Sequence, residues 1–342
     1  MKETPMTIGL LAPPWLPVPP PAYGGIESVV DQLARGLAAR GHQVALYAAA
    51  ESTTPVPIAH TVATARESMG ASEVELPYIM RGYELLAGCD VIHDHTLLGP
   101  AWALAVGYDR VVTTCHAPLS GPMRRVYGRY GKQIPLVAIS RDQASRAPEI
   151  AIRKVIHHGL DTERYPVGRG DGEFLLFLGR MAPSKGVREA ALVAREAGEQ
   201  LVIAAKMREP AERDYFAGQV EPLLGNGVTY IGEATHGDKL ALLGAAKALL
   251  NPIHWAEPFG LVMAEALACG TPVIAHPCGA APEIVDDGAT GFLRVAHDEL
   301  VEVIERVDEL DRAACRAAAI ERFSADRMVA QHVRVYRDMI NR

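Results

Sequence analysis

Two carboxylates eight positions apart, Glu257 and Glu265, bracket the run Pro258-Phe259-Gly260-Leu261-Val262. The apolar stretch from Leu261 to Ala268 reads as a helix. Pro258 falls where a proline suits a first helical turn, because that position has no N–H partner to lose. A loop carboxylate at a helix entrance with a second carboxylate two turns along is a poor pattern for a solvated helix. It suits a polyhydroxylated ligand whose anionic part rests on the helix N-terminus. For this pair taken alone, two solvated helix glutamates remain the plain alternative.

Cations stand at a second place. Arg180 and Lys185 lie in the segment GRMAPSKG at 179–186, directly after the apolar strand read at 174–178. Both are read on one loop at a strand end. Their natural targets are diphosphate oxygens, with arginine supplying a fork and lysine a point charge. Gly24 and Gly25 open a helical pattern in which glycine lets backbone amides approach a phosphate and the helix end adds positive charge. Neither a dinucleotide fingerprint nor a Walker loop occurs there. Glu27 reads as a helix-start residue. His116 ends the run VVTTC and is expected at the mouth of a parallel sheet, a structural histidine being the competing reading. His93 and His95 point the same way along one strand with no third metal ligand in view, so no metal is expected.

Positioning these groups calls for two rounds of alternating strand and helix. The first has strands at 6–12, 44–48, 91–92, 111–114, 136–139 and 155–156. Its leading helix spans 26–40, with Ile26, Val29, Val30, Leu33 and Leu37 at helical spacing and Gly41 as the stop. The second has strands at 174–178, 201–205, 228–231, 248–250 and 271–275, and helices at 185–197, 238–246 and from 258 onward. The polar, glycine-rich stretch 159–173 between them reads as a linker, with 168–172 as a hinge. A last helix at 324–341 begins on a capping serine, Ser324. The pattern is α/β and doubly wound, with ligands at the strand C-terminal ends.

Taken together, the Glu-x7-Glu segment, the match of 179–186 to GR-x4-KG, Tyr23-Gly24-Gly25, His93-x-His95, His116 and GAAPEIV at 279–285 resemble the retaining glycosyltransferases of family 4. The resemblance runs over nearly the whole chain. It implies a GT-B fold: two Rossmann-like doubly wound parallel-sheet domains facing across a cleft. It places an acceptor-side domain at 1–165 with 324–342, and a nucleotide-sugar domain at 166–323. It implies transfer of a sugar, with retention, from a nucleoside-diphosphate sugar (UDP favoured over GDP) to an acceptor hydroxyl. The diphosphate would meet Gly24, Gly25, Arg180, Lys185 and the backbone of 258–262. Glu265 would bond the ribose, Glu257 the sugar, and His116 would lie near the transferred sugar, while Glu283 would be structural. No metal and no cofactor is implied; a departing phosphate oxygen would take the acceptor proton. The sequence departs from the pattern at Ile253, at Ala205-Lys206 and at His157-His158-Gly159, which bears on base and sugar specificity and on the hinge. Alternatives are a nucleotide-sugar 2-epimerase, a sugar phosphorylase, and a non-catalytic nucleotide-sugar binding protein. Arg180, Lys185, Glu257 and Glu265 together weigh against the last, and no orthophosphate site or cofactor lysine supports the phosphorylase.

Bulk properties narrow the partners. The chain has 342 residues, 49% hydrophobic and 22% charged, which fits about two soluble domains. A net charge of −7 argues against nucleic acid or an anionic membrane as the main partner. The cluster Arg124, Arg125, Arg129 and Lys132 leaves peripheral membrane contact open, with a solvated helix face favoured. Five widely spaced cysteines without a C-x-x-C fit a reducing cytoplasm. The N-terminal run, soon broken by prolines, is not read as a secretory signal, and no apolar run reaches the ~20 residues of a membrane span. Of the 34 basic residues, 27 are arginine, which suggests a GC-rich genome. An actinobacterial oligosaccharide-antibiotic pathway such as that of avilamycin is the corresponding expectation, which no motif selects. The acceptor, a small molecule or oligosaccharide, would be met by loops at 13–21 and 118–130, which follow no motif.

Overall fold

In a computed structural model, residues 4–64 and 69–341 are described. Residues 1–3 and 342 lie outside them, and with them the extreme ends of the first expected domain. The chain divides into two compact units, Met1–Leu160 with Ala325–Arg342, and Asp161–Ser324.

The first unit carries seven strands: β1 (Thr7–Leu11), β2 (Gln43–Tyr47), β3 (Ile58–Ala59), β4 (Val91–Asp94), β5 (Val111–Cys115), β6 (Leu136–Ala138) and β7 (Ile152–Val155). They lie in the order β3-β2-β1-β4-β5-β6-β7, every pair parallel. Strands β4, β5 and β6 are buried along their whole length, as a sheet covered on both faces requires. The order reverses between β1 and β4, and the helix Gly25–Ala39 follows β1. Its buried face is the predicted one, Val29, Val30, Leu33 and Leu37, and it ends at Gly41 in the left-handed region, φ 85°. The last helix, Ala325–Ile340, packs on it. A Cβ on Gly36 would sit 2.5 Å from Val329 Cγ2, so glycine permits that approach.

The second unit has six parallel strands: β8 (Phe174–Arg180), β9 (Gln200–Lys206), β10 (Val228–Tyr230), β11 (Ala248–Asn251), β12 (Val273–Ala275) and β13 (Gly291–Leu293). Their order is β10-β9-β8-β11-β12-β13, reversing between β8 and β11. Its core joins Leu175, Phe177, Ile203, Leu250 and Ile274 with the buried face of helix Val187–Glu196. Each unit is thus a doubly wound parallel α/β layer, the architecture of the GT-B fold.

The glycine-rich stretch is docked, which corrects its reading as a linker and hinge. Gly168, Gly170 and Gly172 donate to the carbonyls of Cys269, Gly244 and Ala245 at 3.0, 3.0 and 2.9 Å. A Cβ on Gly168 would lie 1.9 Å from Gly244 O, so glycine is what lets the chain lie flat there. Residues 161–165 also belong to the second unit. The Arg316 guanidinium bonds the carbonyls of Thr162 and Tyr165 at 2.7 and 2.8 Å. Strand β7 lies at Ile152–Val155, earlier than the expected 155–156. No helix among the described residues is long and apolar enough to cross a membrane.

Candidate functional site

At the C-terminal ends of β8 and β9, Arg180 and Lys206 are partners in parallel register. Two like charges on adjacent strands repel unless something lies between them. Here Glu212 does: its Oε1 is 3.6 Å from Arg180 Nε and 3.7 Å from Lys206 Nζ. Glu212 is buried, and its second oxygen accepts from the amides of Arg208 and Glu209 at 2.7 and 3.1 Å. Arg180 Nε makes no hydrogen bond among the described residues. Its side chain is 41% exposed overall, yet Nε itself is buried beside the Glu212 carboxylate.

Arg180 and Lys185 are not on one loop, as the sequence suggested. Arg180 closes the strand, and Lys185 ends a separate 3-10 turn, Pro183–Lys185. The turn is pressed onto the loop after β11. Gly186 is left-handed at φ 76°, and a Cβ there would lie 1.9 Å from Pro252 O. His254 N donates to Ser184 O at 2.9 Å. This contact carries Lys185 to Glu257. Lys185 Nζ bonds Glu257 Oε2, and Trp255 Nε1 donates to the same oxygen at 3.0 Å. The ammonium also sits 5.3 Å from the centre of the Trp255 ring, within cation–π reach. The pair is 15% and 16% exposed, so it is desolvated enough to matter and open enough to exchange partners.

The helix after Glu257 is Leu261–Ala268, with left-handed Gly260 as its N-cap, φ 90°. Pro258 is therefore outside the first turn, a correction with a clear cause: only glycine takes that φ without strain, so the helix begins after Gly260. Phe259 is 3% exposed and its ring packs on Phe323, so it anchors the loop ahead of the helix. Leu261 and Val262 are half-buried, and their amides lack intrahelical acceptors by helix geometry. Glu257 is fixed from behind by Gly279, where a Cβ would lie 2.4 Å from Glu257 N, and by Ala280 N donating to Glu257 O at 3.0 Å. Glu265, 8% exposed, accepts from Lys239 Nζ at 2.5 Å and from the Tyr165 hydroxyl at 3.0 Å.

In the first unit, Gly24 caps the helix Gly25–Ala39. A Cβ on it would meet Pro20 Cβ at 2.6 Å, so glycine has a packing reason here beside any ligand. Glu27 lies buried in that first turn, and burial pushes its carboxyl up to about 7. His116 is half-buried at the end of β5, its Nε2 2.9 Å from His95 Nδ1. It belongs to a row of five imidazoles, His332, His93, His95, His116 and His158, with neighbouring ring centres 4.0–5.2 Å apart. His93 is held by the Tyr336 hydroxyl and by Thr114 Oγ1, both at 2.7 Å. Burial pushes His93, His95 and His158 well below the ordinary histidine range, His116 to about 3 and His332 to about 4. His116 is thus neutral near pH 7, and its Nδ1 has no hydrogen-bond partner among the described residues.

The structure brings together Lys185 with Glu257, and Arg180 with Lys206 and Glu212. Trp255, Glu212, Lys239 and Tyr165 were missed. Trp255 lies inside the motif, two residues before Glu257, where an indole donor beside a carboxylate was a readable signal. The other three come from stretches with no motif, and only the fold places them.

Comparisons with known proteins follow the same division. Residues 162–322 match the family model of glycosyl transferases group 1, and residues 23–164 that of glycosyltransferase family 4. The chain is 30% identical to a glycogen synthase of Mycobacterium tuberculosis, over 80% of this chain and 79% of that protein. It is 28% identical to a phosphatidyl-myo-inositol mannosyltransferase of Mycobacterium leprae, over 97% and 96%. Among solved structures, AviGT4, a glycosyltransferase involved in avilamycin A biosynthesis, superposes with a TM-score of 0.75 at 28% identity, covering 98% of each chain. Anabaena HepE in complex with UDP-glucose superposes with a TM-score of 0.77 at 21% identity, over 97% of this chain and 100% of that one, a likeness of fold.

Proposed function

The chain belongs to the glycosyltransferases of GT-B fold, and on that premise we propose that it moves a sugar from a nucleoside-diphosphate sugar, UDP favoured over GDP, to an acceptor hydroxyl with retention. The observation that carries this reading is the meeting of Lys185 and Glu257. They stand 72 positions apart in sequence and end in one ion pair beside the N-terminus of Leu261–Ala268. A diphosphate offers Lys185 and Arg180 better partners than the carboxylates they now hold, because it carries more charge and more acceptor oxygens. Free amides at the helix start add to the same attraction. Glu257, once exchanged, accepts from sugar hydroxyls while Trp255 keeps it in place. Glu265 accepts from the ribose.

Charge on the departing diphosphate is balanced by these cations and amides, so the reaction is proposed to need no divalent ion. The departing phosphate oxygen takes the proton of the acceptor hydroxyl as the new glycosidic bond forms. His116, neutral, is assigned a hydrogen bond to a sugar hydroxyl and not a proton transfer. Gly24 and Gly25 keep their assignment to phosphate, with Gly25→Val as its separate test: untouched nucleotide affinity and turnover would reduce them to a turn. Glycosyltransferase relatives leave the 2-epimerase reading unfavoured. Likeness to a glycosyltransferase involved in avilamycin A biosynthesis supports a similar pathway, for which an oligosaccharide or small-molecule acceptor is proposed; five free cysteines support a cytoplasmic site of action.

A thermal-shift screen of UDP, GDP, ADP and TDP, followed by proton NMR of turnover with the matching nucleotide sugar, tests the whole reading. The expected result is stabilisation by UDP and a product with the donor's anomeric configuration. An inverted product would overturn retention, and a sugar nucleotide isomerised without transfer would revive the epimerase.

A further inference from the structure

Glu265 is anchored through one oxygen only. Lys239 Nζ and the Tyr165 hydroxyl both donate to Oε1, at 2.5 and 3.0 Å, and no donor among the described residues reaches Oε2. The three groups come from separate stretches: Tyr165 ahead of the docked glycine run, Lys239 on helix His236–Ala245, and Glu265 on helix Leu261–Ala268. If the carboxylate needed only neutralising, Lys239 alone would suffice. Two donors on one oxygen do more, because they fix where the carboxylate lies and leave the other oxygen as the free acceptor. Tyr165 is suited to the task. It is 7% exposed, its backbone carbonyl is held by Arg316 at 2.8 Å, and burial beside Glu265 keeps its phenol protonated as a donor. Glu265 Oε2 is open to water in the free protein, and a ligand hydroxyl can take that water's place.

We propose that Lys239 and Tyr165 are positioning residues of the donor site, holding the Glu265 carboxylate by Oε1 so that Oε2 accepts from a hydroxyl of the nucleotide ribose. This rests on the reading of Glu265 as the ribose ligand. Neither residue touches the substrate. They act by removing the freedom of a group that does, so their loss lowers nucleotide affinity and leaves the chemical step nearly unchanged.

The test pairs variants with nucleotides. Calorimetric titrations of UDP, 2′-deoxyUDP and 3′-deoxyUDP are made on the wild type, Lys239→Met, Lys239→Arg, Tyr165→Phe and Glu265→Gln, with donor KM and kcat alongside. Lys239→Met is expected to weaken UDP about tenfold, the scale of one charge-assisted hydrogen bond, and to raise donor KM with kcat changed less than about twofold. The penalty should vanish for the deoxynucleotide that lacks the contacted hydroxyl. Lys239→Arg should restore most of it, and Tyr165→Phe should show a smaller loss with the same hydroxyl dependence. Equal weakening of all three nucleotides by Lys239→Met, or none, would overturn the proposal. Should Lys239→Met not fold, Tyr165→Phe decides by the same criterion. Glu265→Gln separates the two levels. If it binds all three nucleotides as the wild type does, the ribose reading itself fails. If it distinguishes them while Lys239→Met does not, only the positioning fails.

Discussion

The two units put opposite electrostatics at the ends of similar sheets. At the ends of β8 and β11, charges come in pairs that keep partial access to water: Lys185 with Glu257, Arg180 with Glu212. At the ends of β4 and β5, three imidazoles are buried without charge, beside the buried Asp94 carboxyl held by Tyr83 and Thr96. A cation held by an exchangeable carboxylate is ready for an anion. A neutral ring with an idle nitrogen is ready for a hydroxyl and repels nothing. One α/β pattern thus presents exchangeable cations in one copy and neutral imidazoles in the other, and the difference lies in which residues end the strands.

The largest effect should come from breaking the Lys185–Glu257 pair. Lys185→Ala removes the proposed phosphate ligand and strands a largely buried carboxylate, so kcat/KM should fall on the order of 100-fold. Lys185→Met combined with Glu257→Gln sharpens the point. It should recover thermal stability relative to Lys185→Ala while activity stays lost. Recovery of both would make the pair structural.

Acid should separate the units next. A histidine whose folded pKa lies below its unfolded value contributes stability that is present above about pH 6.5 and lost as pH falls toward the folded value. Each pH unit in that window costs about 1.4 kcal/mol per histidine. Five histidines of the first unit are shifted this way, with His116 at about 3 and His332 at about 4. Glu27 at about 7 and Asp94 at about 6 work in the opposite sense, since a raised carboxyl favours the folded state as pH falls. Burial raises the Glu75 carboxyl in the same sense, and five groups outweigh three. Hydrogen exchange at pH 7.5 and pH 5 should therefore show residues 91–95 and 325–340 losing protection before 174–180 and 261–268. Simultaneous loss would remove the contrast.

Smaller effects follow. Arg180→Ala should weaken nucleoside-diphosphate binding about tenfold by calorimetry, less than Lys185→Ala, because its side chain is 41% exposed against 15% for Lys185. EDTA should leave turnover unchanged within about twofold if cations and amides carry the leaving-group charge. Activity abolished by EDTA and restored by magnesium or manganese would refute metal-free transfer.

The sequence showed more of the second unit's chemistry than of its boundaries. Apolar runs such as 174–178 and 248–250 announced buried parallel strands, since a strand covered on both faces must be apolar throughout. Glu257 and Glu265 were visible because their spacing and the glycine between them are local. The glycine run at 168–172 misled, because glycine permits close docking as readily as free motion, and Gly244 on the far side of that contact gives no sign of it. Helix Ser72–Leu86 escaped notice with Pro77 inside it, and helix Arg312–Phe323 with its alanines on all faces. Glu212 caps its own helix locally, but its approach to Arg180, like Lys239 and the histidine row, comes only through tertiary packing, which no spacing rule encodes.

The central claim is that the nucleoside diphosphate sits on 179–187 and 257–265 of the second unit. Hydrogen exchange of the wild-type protein with and without saturating UDP tests it most directly. Protection concentrated in those two stretches, and lost in Lys185→Ala at the same UDP concentration, is the predicted result. Saturating binding that leaves both stretches unprotected would contradict the account and move the donor site elsewhere.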